Sequence, residues 1–187
     1  MAAENSPQER LRQLLLTRSV RRGSFVLASG RRSTFYIDAR QTTMSGEGLI
    51  LIGTLGLERL LARAWSPQCV GGLTLGADPV AFAIAVAARG RGLALDAFTV
   101  RKQAKDHGTG QRIEGCFVPG ASVVVVEDVI TSGRSAEEAA AAVLAAGGRV
   151  LGILAVVDRE EGGRANLERA GYAVEALLTA ADLGLAE

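Results

Sequence analysis

The chain has 187 residues, 48% hydrophobic and 22% charged, with 21 basic against 20 acidic side chains and a formal net charge of +1. That length and composition describe one folded domain over residues 1–187, with a core that needs no staples, and exclude a disordered or fibrous chain. The near-neutral balance excludes a whole-surface attraction to nucleic acid or to an anionic membrane, so any anion must be bound locally.

At the N-terminus, MAAENSPQER holds no apolar core, so no signal peptide is expected. Nowhere does the chain reach the roughly 18 uncharged apolar residues of a membrane span. Ser6-Pro7-Gln8-Glu9 starts a helix, with Ser as N-cap, Pro in the first turn and Glu three residues after the cap, and the helix runs to about Thr17. Phe25–Ala28 and Thr34–Asp38 read as short strands joined by a turn at Ser29–Arg32. Gly48–Ala64 carries Leu and Ile at helical spacing. From there strands and helices alternate: a strand at Val70–Thr74, a helix opening at Asp78-Pro79 with Asp as cap, a strand at Leu93–Val100, and a polar loop over Gln103–Gly115. Then follow a strand at Val123–Glu127, a helix over Ser135–Ala146, a strand at Val150–Val157, a helix over Arg164–Ala170 and a strand at Ala173–Leu178. Continuous apolar strands alternating with helices indicate an α/β fold whose mostly parallel sheet is covered on both faces. Ligands of such sheets bind at the carboxyl ends of the strands. Cys69 and Cys116 are far apart and neither has a CxxC partner, so both read as buried spectator thiols of a cytoplasmic protein.

The segment Val123–Ser135, VVVVEDVITSGRS, carries the strongest chemical signal. Four valines make a strand buried on both faces, and Glu127-Asp128 and Thr131-Ser132-Gly133-Arg134-Ser135 follow it. Ser135 and Glu138 have the spacing of a capping box. A hydroxyl-glycine loop entering a helix N-terminus is an anion cradle, because main-chain N–H groups and the helix dipole point at the ligand. Two carboxylates beside it would repel a phosphate but suit sugar hydroxyls, or Mg²⁺ bound through them. Phosphate at one end and diol at the other describe a ribose 5-phosphate. The chain holds no GxxxxGK[ST] and no GxGxxG after a strand, which excludes a P-loop or dinucleotide domain on motif grounds.

This segment resembles the phosphoribosyl pyrophosphate (PRPP) binding motif of the type I phosphoribosyltransferases. The resemblance implies that fold, with a small N-terminal hood over about residues 1–40. It also implies that Glu127 and Asp128 hold the ribose hydroxyls while Val129, Ile130, Thr131, Ser132, Gly133, Arg134 and Ser135 wrap the 5-phosphate.

Of the 21 basic residues 19 are Arg, and the two lysines, Lys102 and Lys105, share the segment Arg101–Arg112 with the only histidine, His107. Lys and Arg differ in hydration, reach and titration, so their segregation hints at chemistry. Mobile cations closing over a pyrophosphate would stabilise its departure and keep water from an oxocarbenium-like centre. The run Arg101, Lys102, Lys105, His107, Gly108 is similar to the catalytic loop of the orotate phosphoribosyltransferases. That likeness implies orotate as acceptor, Lys102, Lys105, His107 and Asp128 as the catalytic set, and Arg101 among the PRPP contacts. It further implies a homodimer whose 101–115 loop reaches the neighbouring subunit's site, with Mg²⁺ bound mainly through PRPP and no dedicated protein ligands. An imidazole with a reference pKa of about 6.5 would be held protonated by pyrophosphate.

Three further stretches match the same family: Ser29–Asp38, its hairpin over the acceptor base; Gly71–Ala81, its pyrophosphate-contacting loop; and Asp158-Arg159, where Arg159, with Thr131, would hold orotate. A fork-shaped guanidinium suits a planar carboxylate. One position departs from the pattern, since Ala28 stands where many members carry Lys. Either Arg31, Arg32 or a neighbour replaces that cation, or the loop lysines carry more of the stabilisation. A purine phosphoribosyltransferase would share Val123–Ser135 but has no reason to keep the 101–108 pattern or Arg159. A PRPP-sensing transcription regulator would carry a DNA-binding extension or a basic face, and neither is present.

Overall fold

A computed structural model describes residues 6–26, 32–103 and 112–185. Helix α1 (Pro7–Arg18) starts as the sequence requires, with the Ser6 side chain accepting from the Glu9 N–H and Pro at the first position. Strand β1 (Val20–Val26) begins five residues before the expected strand. Its first half, Arg-Arg-Gly-Ser, has no apolar alternation, and its pairing register shifts between Arg22 and Phe25. Strand β2 (Arg32–Ile37) pairs antiparallel with it and alternates outward and inward, burying Ser33, Phe35 and Ile37.

The one-turn helix α2 (Arg40–Thr43) leads into α3 (Gly46–Ala62), capped by Ser45, which accepts from the Gly48 N–H at 3.1 Å. There follow β3 (Cys69–Leu73), α4 (Ala77–Gly90), β4 (Asp96–Val100), β5 (Ile113–Gly115), β6 (Ser122–Ile130), α5 (Arg134–Ala145), β7 (Arg149–Asp158), α6 (Gly163–Arg169) and β8 (Val174–Thr179). Strands β3 to β8 form one sheet in the order β5-β4-β3-β6-β7-β8, parallel except for the β4–β5 edge pair. Strand β5 lies inside the stretch expected to be loop. Three residues at an edge are too few to show a period.

The four valines of β6 divide between two cores, which is why the strand reads as a continuous apolar run. Val124 and Val126 pack with Leu11, Leu15, Ile52 and Ile84 on one face, where Phe35 and Ile37 of the hairpin also lie. Val123 and Val125 pack with Ala136, Ala139, Val143 and Leu167 on the other. All four are fully buried, each worth roughly 1.5–3 kcal/mol.

Two expected caps are corrected. Helix α4 begins at Ala77 with Gly76 as its N-cap, and the Asp78 carboxylate instead accepts from the Thr74 and Thr99 hydroxyls. No Ser135–Glu138 capping box forms, because Gly133 is the N-cap of α5, Ser135 already lies inside the helix, and Glu138 pairs with Arg112. Strand β6 also runs three residues beyond the expected end, so the acid pair sits within the strand rather than after it.

Candidate active site

Chain direction across the sheet reverses between β3 and β6, which makes the gap beyond their carboxyl ends the expected ligand position. A cavity of about 630 Å³ opens there. One wall is the β3–α4 turn, Leu73, Thr74, Leu75 and Gly76, in which the Thr74–Leu75 peptide is cis. Opposite stand Glu127, Asp128 and Val129 from β6, with Thr131, Ser132 and Ser135 beyond. Arg159 and Glu161 after β7 close one end, Tyr36 to Arg40 of the hairpin and its exit form the roof, and Lys102 approaches from the end of β4. A second recess of about 90 Å³ is enclosed by residues 129 to 136 together with Glu127.

Glu127 is only 6% exposed and borders both spaces. Its Oε1 accepts from the Asp128 N–H at 3.3 Å, while Oε2 is buried without a hydrogen-bond partner among the described residues. Burial, and then the charge of Asp128 beside it, pushes its carboxyl well above the usual carboxylate range. A carboxyl so placed, with one oxygen unmatched, is poised for a ligand's hydroxyl group. Asp128 accepts from the Val129 N–H at 2.8 Å and faces the β3–α4 turn so closely that a Cβ on Gly76 would lie 2.7 Å from its carboxylate.

The hydroxyl loop is held from below. Gly133 has φ +86°, and a Cβ there would stand 2.9 Å from Leu167 Cγ and 3.0 Å from the Gly163 carbonyl oxygen. Only glycine meets both demands. Asn166 Nδ2 donates to the Ser132 carbonyl at 3.0 Å. Ile130 is buried, so its side chain belongs to the core and only its main chain can serve a ligand, whereas Arg134 flanks the smaller recess.

Arg159 is 5% exposed, stacked over the Phe35 ring at 4.6 Å from its centre. Its Nε donates to Glu161 at 2.8 Å, and one terminal nitrogen reaches Glu161 at 2.7 Å and Ser33 Oγ at 3.3 Å. The fork is thus fixed between the hairpin and the end of β7, where it borders the cavity. Asp158, also buried, accepts from the Glu160 N–H at 2.9 Å and from Arg164 Nε at 2.8 Å, which fixes the strand end.

The basic segment divides. Lys102 borders the cavity, but Arg101 does not, and pairs instead with Glu114 at 2.9 Å. Lys105, His107 and Gly108 lie outside the described residues, as do Ala28 and Arg31. Arg32 is described and exposed. Tyr36, Arg40 and Glu161 were not singled out individually by sequence. Tyr36 and Asp38 belong to the hairpin motif, whereas Arg40, which opens α2, and Glu161, after β7, had no signal, being single charged residues outside any motif. Arg40 donates to Asp38 at 2.8 Å and holds that carboxyl below its usual range. Cys69 is buried as expected, but Cys116 is exposed. Among the described residues no group of three or more His, Cys, Asp or Glu could hold a metal, and no helix is long and apolar enough to cross a membrane.

Comparison with models of protein families gave no match. Comparison with individual proteins did. The chain is 43% identical over 176 residues to the orotate phosphoribosyltransferase of Rhodopirellula baltica, covering 92% of this chain and 91% of that one. Among solved structures, the orotate phosphoribosyltransferase of Mycobacterium tuberculosis in complex with Fe(III) dicitrate superposes with a TM-score of 0.84 at 45% identity, over 96% of this chain and 100% of that one. The same enzyme in complex with PRPP gives a TM-score of 0.81 at 42% identity, again over 96% of this chain and 100% of that one.

Proposed function

We infer the reaction from one premise, that the chain belongs to the orotate phosphoribosyltransferase family: it transfers the 5-phosphoribosyl group of PRPP to orotate. The products are orotidine 5′-monophosphate and pyrophosphate, in pyrimidine biosynthesis. The observation that carries the assignment of residues is that the acid pair, the hydroxyl loop and the Arg159 fork border a single cavity.

In this reading the 5-phosphate occupies the recess formed by residues 129 to 136, taking main-chain N–H groups of the loop and the positive end of α5. Glu127 and Asp128 hold the ribose hydroxyls, and the unpartnered Glu127 Oε2 supports that role. Orotate lies between Thr131 and Arg159, with its carboxylate on the guanidinium edge that Glu161 leaves open. The bond from ribose C1 to the pyrophosphate oxygen breaks as the base nitrogen bonds to C1, and the proton that nitrogen carried leaves to solvent or to the departing pyrophosphate. No side chain forms a covalent intermediate, so catalysis is positioning plus electrostatics. Lys102 approaches the leaving pyrophosphate from this chain, while Lys105 and His107 complete the cationic set. Mg²⁺ belongs to the proposal. Asp128, on the cavity wall, would be the residue to hold such an ion through water, and the ion would neutralise pyrophosphate charge.

We further propose a cytoplasmic homodimer with shared sites, whose 101–115 segment serves the neighbouring copy. In that arrangement Lys102, which borders this chain's own cavity, serves its own site, and the part of the segment beyond it reaches the neighbouring one. Two free cysteines accord with a reducing compartment.

Replacing Arg159 with Ala tests the acceptor assignment. KM for orotate is expected to rise at least about tenfold, with KM for PRPP nearly unchanged. An equal rise in both would place the acceptor elsewhere.

A further inference from the structure

Asp78 lies in the first turn of α4 and does not border the cavity, yet each of its carboxylate oxygens takes a hydroxyl from a different element. Thr74 Oγ1, in the β3–α4 turn, donates to Oδ2 at 2.6 Å, and Thr99 Oγ1, on β4, donates to Oδ1 at 2.5 Å. One carboxyl group thus bridges two hydroxyls from separate elements. The Thr74 N–H also donates to the Val100 carbonyl at 2.9 Å. Next along β4 comes the neck of the cationic segment, where the Arg101 N–H donates to the Arg112 carbonyl at 2.8 Å and Arg112 Nε donates to the Arg101 carbonyl at 3.1 Å.

We propose that Asp78 is a positioning residue for the leaving group: one carboxylate ties the turn Thr74–Gly76 to the strand that launches Arg101 and Lys102, and so sets the two sides of the pyrophosphate subsite relative to each other. The inference rests on the proposed function, with Lys102 at the leaving pyrophosphate and the turn, within the pyrophosphate-contacting stretch Gly71–Ala81, on the same cavity. An acid in the first turn of a helix also has a plain structural use, through the helix dipole, so the two roles must be separated. A dipole role needs only a charge at Asp78. A clamp needs both hydroxyls, spares the acceptor side of the cavity, and makes Asp78 and Thr99 act as a unit.

The experiment measures KM for PRPP, KM for orotate and inhibition by pyrophosphate for Asp78→Ala, Asp78→Asn, Thr99→Val and the Asp78→Ala/Thr99→Val double variant. Asp78→Ala is expected to raise both KM for PRPP and the pyrophosphate inhibition constant about tenfold, with KM for orotate within about twofold of the parent. Asp78→Asn, which keeps one good acceptor oxygen, falls between. Thr99→Val shifts the same two constants, and adding it to Asp78→Ala changes nothing further, as for residues in one hydrogen-bonded unit. Additive effects, a parallel rise in both KM values, or unchanged kinetics with only a lower Tm would overturn the clamp. Should Asp78→Ala fail to fold, Thr99→Val and Asp78→Asn decide by the same criteria. A parent enzyme that turns over orotate while these variants match it condemns the clamp alone. A parent with no turnover condemns the site assignment beneath it.

Discussion

Glu127 combines near-complete burial, an unmatched carboxyl oxygen and a like charge next door in Asp128. Its folded pKa is raised, so the folded chain holds that proton more tightly than the unfolded chain does. The stability this confers is fully present below the ordinary value of 4.5 and is lost as the pH rises through the folded value. Glu127→Gln keeps the shape without the charge. Its Tm advantage over the parent, read from thermal melts without ligand, is therefore expected to be larger at about pH 8 than at about pH 5. A gap that stays constant or shrinks with pH would contradict the burial argument. The same variant should bind PRPP more weakly, since a site that costs stability when empty is one arranged for a ligand. Which residues would sit at the site was legible where a motif named them. Glu127, Asp128, Thr131 and Arg159 stand on the cavity that their order along the chain implied. Arg40 and Glu161 were invisible, because their side-chain partners, Asp38 and Arg159, are local and only the folded cavity shows what they border.

The hydroxyl loop depends on how α5 and α6 meet. Gly133 starts α5 in a left-handed conformation directly against Leu167 and Gly163 of α6, and a Cβ on Gly163 would in turn stand 2.5 Å from the Thr131 carbonyl oxygen. Gly133→Ala therefore incurs backbone strain and a clash together, an expected loss of about 2 kcal/mol in urea unfolding. KM for PRPP should rise more than KM for orotate, because the displaced element is the phosphate loop. A variant as stable as the parent, with unchanged KM for PRPP, would show that α6 does not set the loop. The sequence suggested a different start for this helix, the Ser135–Glu138 spacing of a capping box. That spacing is local, whereas Gly133 is required by a partner thirty residues further on. The same limit applies to strands. Strand β6 was found from its valines but its end was placed at Glu127, since Asp128 is a poor strand former, whereas pairing of Val129 and Ile130 with Val157 and Asp158 of β7 carries the strand on to Ile130. The charged half of β1 and the three-residue edge strand β5 were missed because tertiary pairing, not periodicity, makes them strands.

At the scale of the whole molecule, the sheet order was not written in the sequence, but its consequence was. Alternating apolar strands and helices required a covered parallel sheet, and ligand residues at strand ends required them to converge. The shared-site dimer makes its own prediction. If Lys105 of one chain and Asp128 of the other complete one site, as proposed, Lys105→Ala and Asp128→Asn alone should each be nearly inactive. Mixed and allowed to exchange subunits, half the dimers become hybrids with one intact site each. About a quarter of the parent activity is then expected to return. No recovery after demonstrated exchange would mean that each chain completes its own site.

Transfer of a phosphoribosyl group to orotate is tested by the fall in orotate absorbance with purified chain, PRPP and Mg²⁺, run beside hypoxanthine. PRPP-dependent loss of orotate with matching release of pyrophosphate is expected, and no reaction of hypoxanthine. Turnover of hypoxanthine with orotate untouched would contradict it.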